Sequence, residues 1–173
     1  MSPTFIPDQC FIARNLDDPS TVTYGDTITF WDDRSEQVHY FRVIGLSGDT
    51  VQMKSGRVWL NNHLLPQVRE ADDIVTMEPR GHFQGFPRCI SQTPIGGECR
   101  RHRYRETLPN GVSYSVLDVG EFALDDTSEF HVPEGHVFVL GDNRDNAADS
   151  RVSRAAGGRG FVAIEDIQGI VER

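Results

Sequence analysis

Apolar and polar positions alternate with a period of two along much of this chain. Between Gln37 and Leu46, Val38, Tyr40, Arg42 and Ile44 fall on one face and His39, Phe41 and Val43 on the other, as side chains do on a strand. Thr21 to Phe30 also alternates and is rich in β-formers, interrupted at Gly25-Asp26. Trp31 to Glu36 predicts a polar turn, and Ser47-Gly48-Asp49 a second one. Val51 to Leu65 predicts a hairpin with turns at Lys54-Ser55-Gly56 and Asn61-Asn62. Pro109-Asn110-Gly111 predicts another, between Tyr104–Leu108 and Val112–Leu117. Gly135 to Leu140 is a short apolar strand. Near the C-terminus a one-turn bend at Ala163–Asp166 precedes a last strand. Met1 to Ile12, with Pro3 and Pro7, predicts an extended, bent segment. From Gln67 to about Phe130 the pattern loosens, and the charged run Arg100–Glu106 predicts a solvated strand or loop. No long helical period occurs, so the expected fold class is all-β.

The densest chemistry lies just after the Gly135–Leu140 strand. Gly141-Asp142-Asn143-Arg144-Asp145-Asn146-Ala147-Ala148-Asp149-Ser150-Arg151 holds three aspartates, two arginines, two asparagines and one serine. Asp149 and Arg151 share a face if the segment is extended, and a guanidinium donates to a carboxylate in pairs. Mixed charge this dense after an apolar strand predicts a scaffold of ion pairs beside a functional cleft.

Four stretches, in order, resemble the type I signal peptidases, membrane-bound serine proteases that trim signal peptides. Gly141 to Arg151 is similar to their C-terminal motif, and Met1-Ser2-Pro3-Thr4-Phe5 to the segment after the nucleophilic serine. Gly25-Asp26-Thr27-Ile28-Thr29-Phe30 resembles the next core strand. Arg42-Val43-Ile44-Gly45-Leu46-Ser47-Gly48-Asp49 resembles the strand and turn after the catalytic lysine. The resemblance implies an antiparallel β core, residues 1–56 and 131–173, with a smaller inserted β subdomain at 57–130. It makes Arg42, Asp142, Arg144, Asp145, Asp149 and Arg151 the expected ion-pair cluster.

The catalytic positions depart from the family pattern. A serine immediately before the Met-x-Pro-Thr segment would precede Met1, and Ser2 stands at a variable position. The lysine position is Phe41, and the supporting hydroxyl position, between Asn146 and Ala148, is Ala147. Lys54, the chain's one lysine, lies beyond the Gly48-Asp49 turn. His39 shares Phe41's face and would act as a base only through a bulge or shifted register. Met1, Pro3, Phe5, Tyr40 and Phe41 are the expected substrate-binding residues.

The first expectation is therefore an extracytoplasmic domain that recognises signal peptides of exported proteins and binds without cleavage. The alternative is an active serine endopeptidase with its nucleophile upstream of Met1 and an unconventional base. The self-cleaving repressors, with a related Ser/Lys site, fit less well, since they lack the large insert. The expected location is the outer face of the cytoplasmic membrane, as the periplasmic part of a membrane protein. No apolar run approaches the roughly 20 residues of a membrane helix, so an N-terminal anchor is expected to be missing from a fragment or truncated reading. In an oxidising periplasm a Cys89–Cys99 disulfide around the Ser91–Glu98 loop is expected. A metal site is not, because no tight cysteine pair exists and only His82 and His102 lie near. Cys10, in an apolar stretch, is expected to be buried. No cofactor is implied. Net charge −9 with a pI near 5.0 argues against nonspecific nucleic-acid binding.

Overall fold

A computed structural model describes residues 3–5, 10–79 and 85–171. Among them the regular structure is strand and short 3₁₀ turns. In chain order the strands are β1 (Ala13–Asn15), β2 (Thr27–Asp32), β3 (Gln37–Gly45), β4 (Thr50–Lys54), β5 (Arg57–Leu60), β6 (His63–Leu64) and β7 (Gln67–Arg69). There follow β8 (Asp73–Thr76), β9 (Glu98–Thr107), β10 (Ser113–Asp118), β11 (Phe130–His131), β12 (His136–Leu140), β13 (Val162–Ala163) and β14 (Ile167–Val171). The protein is all-β.

One six-stranded sheet runs β1-β14-β2-β3-β12-β13, and its strand pairs are antiparallel. Alternation sends its side chains into two cores. On β12, Val137 and Val139 join Ile28, Phe30 and Val43 on one face. Phe138 and Leu140 join Ile44 on the other, with residues of the smaller sheets. A strand buried on both faces is apolar at every position, which is why Val137–Leu140 reads as an uninterrupted apolar run.

The second core is shared widely. Val51, Met53, Val58 and Leu60 of β4 and β5 meet Tyr114 and Val116 of β10 and Leu140 of β12 in it. The β4–β5 hairpin turns at Ser55-Gly56, both at positive φ (47° and 71°), a conformation suited to a two-residue loop. Its strands pair from Val51↔Leu60 to Lys54↔Arg57, so the expected division between residues 56 and 57 falls inside a hairpin. β11 returns to the same sheet, pairing with β4. A third sheet joins β9 to β10 on one side and to β7 and β8 on the other.

Three local expectations are corrected. Trp31 and Asp32 belong to β2 rather than to the turn, because they pair with Val38 and Gln37. The Arg100–Glu106 run is not simply solvated. Arg101 and Glu106 are buried on opposite faces of β9, Arg101 paired with Asp73 of β8 and Glu106 with Arg144. Cys10 is exposed rather than buried.

Candidate functional site

The 141–151 segment leaves β12 and folds back over the sheet through a 3₁₀ turn at Arg144–Asn146. It is held by buried ion pairs. Arg42, fully buried on β3, donates from Nε to Asp142 Oδ1 at 2.8 Å and from Nη2 to Oδ2 at 2.7 Å. Its Nη1 donates to the Gly25 carbonyl at 2.7 Å. Burial opposes the Arg42 charge, but Asp142 outweighs it and holds the guanidinium above its ordinary pKa. The Thr4 hydroxyl donates to Asp142 and accepts from Arg42 Nη2 at 3.3 Å, so the N-terminal segment docks on this pair.

Asp149 and Arg151 form the second buried pair, 2.8 Å from Nε to Oδ1 and 2.9 Å from Nη2 to Oδ2. Asp149 also accepts the Gly141 N–H at 3.0 Å, fixing the start of the segment to its end. Ser150 pins the segment to β12, its hydroxyl accepting the Val139 N–H at 2.9 Å. Asp145 stands apart from the ion pairs. Its carboxylate accepts the Val119 N–H at 2.7 Å. Burial, with Asp118 and Asp125 nearby, raises its pKa against that bond and Arg151.

Phe41 and Ala147 meet at Gly141. A Cβ on Gly141 would lie 2.5 Å from Ala147 Cβ and 3.6 Å from Phe41 Cε1. The space is closed by two apolar groups around a residue with no side chain. Phe41 stacks on Phe30 and His39, with centroids 6.2 and 6.4 Å away.

His39 is engaged elsewhere. Its Nε2 lies 2.8 Å from Ser35 Oγ and 2.9 Å from Arg159 Nη2, which donates to it. Arg159 also pairs with Asp32. Burial first, then the Arg159 charge, lowers the His39 pKa, with Asp32 pulling the other way. Asp32 itself is held below the usual carboxylate range: burial raises it, but bonds from Ser35, Arg159 and Arg34 prevail.

On the opposite face of β3, Tyr40 joins Phe5 and Phe11, at centroid distances of 6.2 and 5.0 Å. β12 pairs with β3 only from Arg42 to Gly45. Among the described residues, Val38–Phe41 has a strand partner on the β2 side alone. This open edge lies between the Phe5–Phe11–Tyr40 cluster and Phe41. Pro3 is half-buried, and Met1 lies outside the described residues.

The whole chain, residues 1–173, matches the family described as "Signal peptidase, peptidase S26". The chain belongs to that signal peptidase family. It is similar to a Signal peptidase I of Rickettsia bellii (strain OSU 85-389), 33% identical over 150 residues, covering 82% of this chain and 43% of the relative. It is 31% identical over 150 residues to a Signal peptidase I of Rickettsia canadensis (strain McKiel), covering 82% of this chain and 47% of the relative. The chain thus spans less than half the length of these relatives. A crystal structure of a signal peptidase I from Enterococcus faecalis V583 aligns with a TM-score of 0.45 at 22% identity, covering 88% of this chain and 97% of that one.

For this family member the site also includes two residues that strand patterning did not single out. Glu106 and Tyr114 pack beneath the 141–151 segment. Arg144 Nη2 donates to Glu106 Oε1 at 2.6 Å and Nη1 to Oε2 at 3.4 Å. The Tyr114 hydroxyl donates to the same carboxylate, and the Arg42 guanidinium lies 4.4 Å from the Tyr114 ring centroid. Burial raises the Tyr114 pKa well above its ordinary value, and the Glu106 charge adds to this. The available signal was the alternation in β9, which puts Glu106 on the face opposite Arg105.

Proposed function

We propose that this chain is the extracytoplasmic domain of a signal peptidase I-like protein that binds signal peptides of exported proteins without cleaving them. The carrying observation is that two apolar groups, Phe41 and Ala147, border Gly141. In the family resemblance these positions belong to the lysine general base and the hydroxyl that bonds it. A serine nucleophile needs a base, and a lysine serves only when buried and neutral. A phenyl ring and a methyl group take no proton. Losing both polar groups together is consistent chemistry, since a buried hydroxyl left without its partner costs about 1–3 kcal/mol. His39 supplies no substitute, because Ser35 and Arg159 occupy its ring nitrogen.

Binding is supported by the open edge of β3. An extended peptide adds there as a further strand, with main-chain bonds giving affinity and alternate side chains giving specificity. Pro3, Phe5, Tyr40 and Phe41 border the edge, and Met1 is assigned there by sequence position. The ion pairs Arg42–Asp142 and Asp149–Arg151 keep the fold of the site without its proton chemistry. The family resemblance supports a location on the outer face of the cytoplasmic membrane, held by an N-terminal helix. Among the described residues no helix is long and apolar enough to cross a membrane.

The test uses the natural full-length protein and a fluorescent synthetic signal peptide with small residues at the cleavage site and two before it. Saturable binding with no product by mass spectrometry is expected. Cleavage that is abolished by replacing a serine just ahead of Met1 refutes the proposal in favour of an active endopeptidase. Absence of binding refutes it outright.

A further inference from the structure

The Arg144–Asn146 turn is gripped from an unexpected side. Arg88, an exposed residue outside every strand, donates from Nη1 to the Asp145 carbonyl. Its guanidinium also lies 5.9 Å from the Phe122 ring centroid. The neighbouring residue, Cys89, is bonded to Cys99 at the start of β9, with a Cα–Cα distance of 5.3 Å. The Ile90 N–H, on the other side of the disulfide, donates to the Arg100 carbonyl at 3.0 Å. Arg88 is thus tied to β9 by a covalent link one residue away, while its side chain spans to the motif segment 57 residues further along the chain.

Other grips on the turn come from within the body of the protein: Glu106 on the Arg144 side chain, Arg151 Nη2 on the Arg144 carbonyl and the Val119 N–H on the Asp145 carboxylate. The Asp145 carbonyl accepts from Arg88 Nη1. Ala147, which closes the space at Gly141, follows this turn directly. Movement of the turn therefore moves Ala147 where it borders Gly141, near Phe41.

We propose that Arg88, held in place by the Cys89–Cys99 bond, is a positioning residue for the 144–147 turn, so that peptide occupancy of the β3 edge depends on a closed disulfide. This rests on the binding reading above. It differs from a purely structural role in a way that is measurable, because Arg88 is exposed and its removal leaves no buried charge.

The test is a double-mutant cycle of Arg88→Ala and the Cys89→Ser/Cys99→Ser pair, with two readouts. The first is affinity for the fluorescent signal peptide. Loss of one net hydrogen bond at the turn corresponds to about fivefold weaker binding. Both single arms are expected to show it, the combined variant is expected to be no weaker than either, and Arg88→Lys is expected to recover part of the loss. The second readout is amide exchange of residues 144–147 without any peptide, which is expected to quicken in the same three variants. Unchanged exchange in Arg88→Ala overturns the proposal, as do affinity losses that add across the cycle. If the wild-type protein binds no peptide, the binding reading fails alone, and the exchange readout still decides whether Arg88 positions the turn.

Discussion

Replacing Glu106 by leucine removes the acceptor on which two buried donors converge. Arg144 Nη1 and Nη2 lose their carboxylate, and Arg144 Nε already has no partner among the described groups. The side chains of both residues are at most 4% exposed, so water does not restore the bonds. Removing one member of a buried ion pair costs about 3–5 kcal/mol. The Tyr114 hydroxyl is orphaned as well, and an unsatisfied buried group costs about 1–3 kcal/mol. Because the two share one carboxylate their costs overlap, and about 4 kcal/mol is expected in all. At about 2–4 °C per kcal/mol for a domain of this size, the melting midpoint falls by about 8–16 °C. Urea unfolding measures the same quantity, with the slope unchanged if the denatured state is unaffected. Glu106→Leu combined with Arg144→Met replaces both charges by apolar groups and is expected to recover most of the loss. A single-variant cost below about 1 kcal/mol, or a double variant no better than the single, refutes the account of a buried pair that matters only when halved.

Two further outcomes follow from the same geometry. Gly141→Ala places a methyl 2.5 Å from Ala147 Cβ, and overpacking of this kind costs about 1–3 kcal/mol. Denaturant midpoints test it, and the added variant Phe41→Leu is expected not to relieve the clash, which lies on the Ala147 side. The pKa of His39 is lowered in the folded protein, first by burial and then by Arg159. As pH falls, the unfolded chain therefore takes up this proton first, beginning near the ordinary histidine value of about 6.5. Stability carried by neutral His39 is present above that pH and is lost progressively below it, levelling once the folded-state value is passed. Midpoints at pH 7.5 and 5.5 in wild type and His39→Gln measure this, and an equal pH slope in both proteins contradicts it. Asp32, held low, contributes stability that is present above the ordinary carboxylate range and is lost only as pH falls below it.

How much of this was legible in the sequence depends on whether local pattern or distant partner decides each residue. The faces of β3 were readable because the alternation His39, Phe41, Val43 against Tyr40, Arg42, Ile44 is intrinsic to an extended chain, and the two cores divide Val43 from Ile44 accordingly. Asp149 and Arg151 were readable as neighbours for the same reason. Asp145 was not separable from them by composition, because what distinguishes it is a backbone N–H from Val119, 26 residues away. Glu106 was harder still. It sits in a stretch with four arginines, Arg100, Arg101, Arg103 and Arg105, and such a run reads as solvated. Only the packing of β9 shows that Arg105 pairs outward with Glu70 while Glu106 turns inward to Arg144. The same limit applies to Cys10, which is exposed despite the apolar stretch it sits in. Burial of a charge is a property of the partner that meets it. Two of the buried pairs that organise the site join residues distant in sequence, 100 apart for Arg42–Asp142 and 38 for Arg144–Glu106, while Asp149–Arg151 is local. A site built this way keeps its frame when residues facing the substrate change, because the frame's bonds run to other residues. On the binding reading proposed above, that independence lets Phe41 and Ala147 stand beside Gly141 while the ion pairs remain intact.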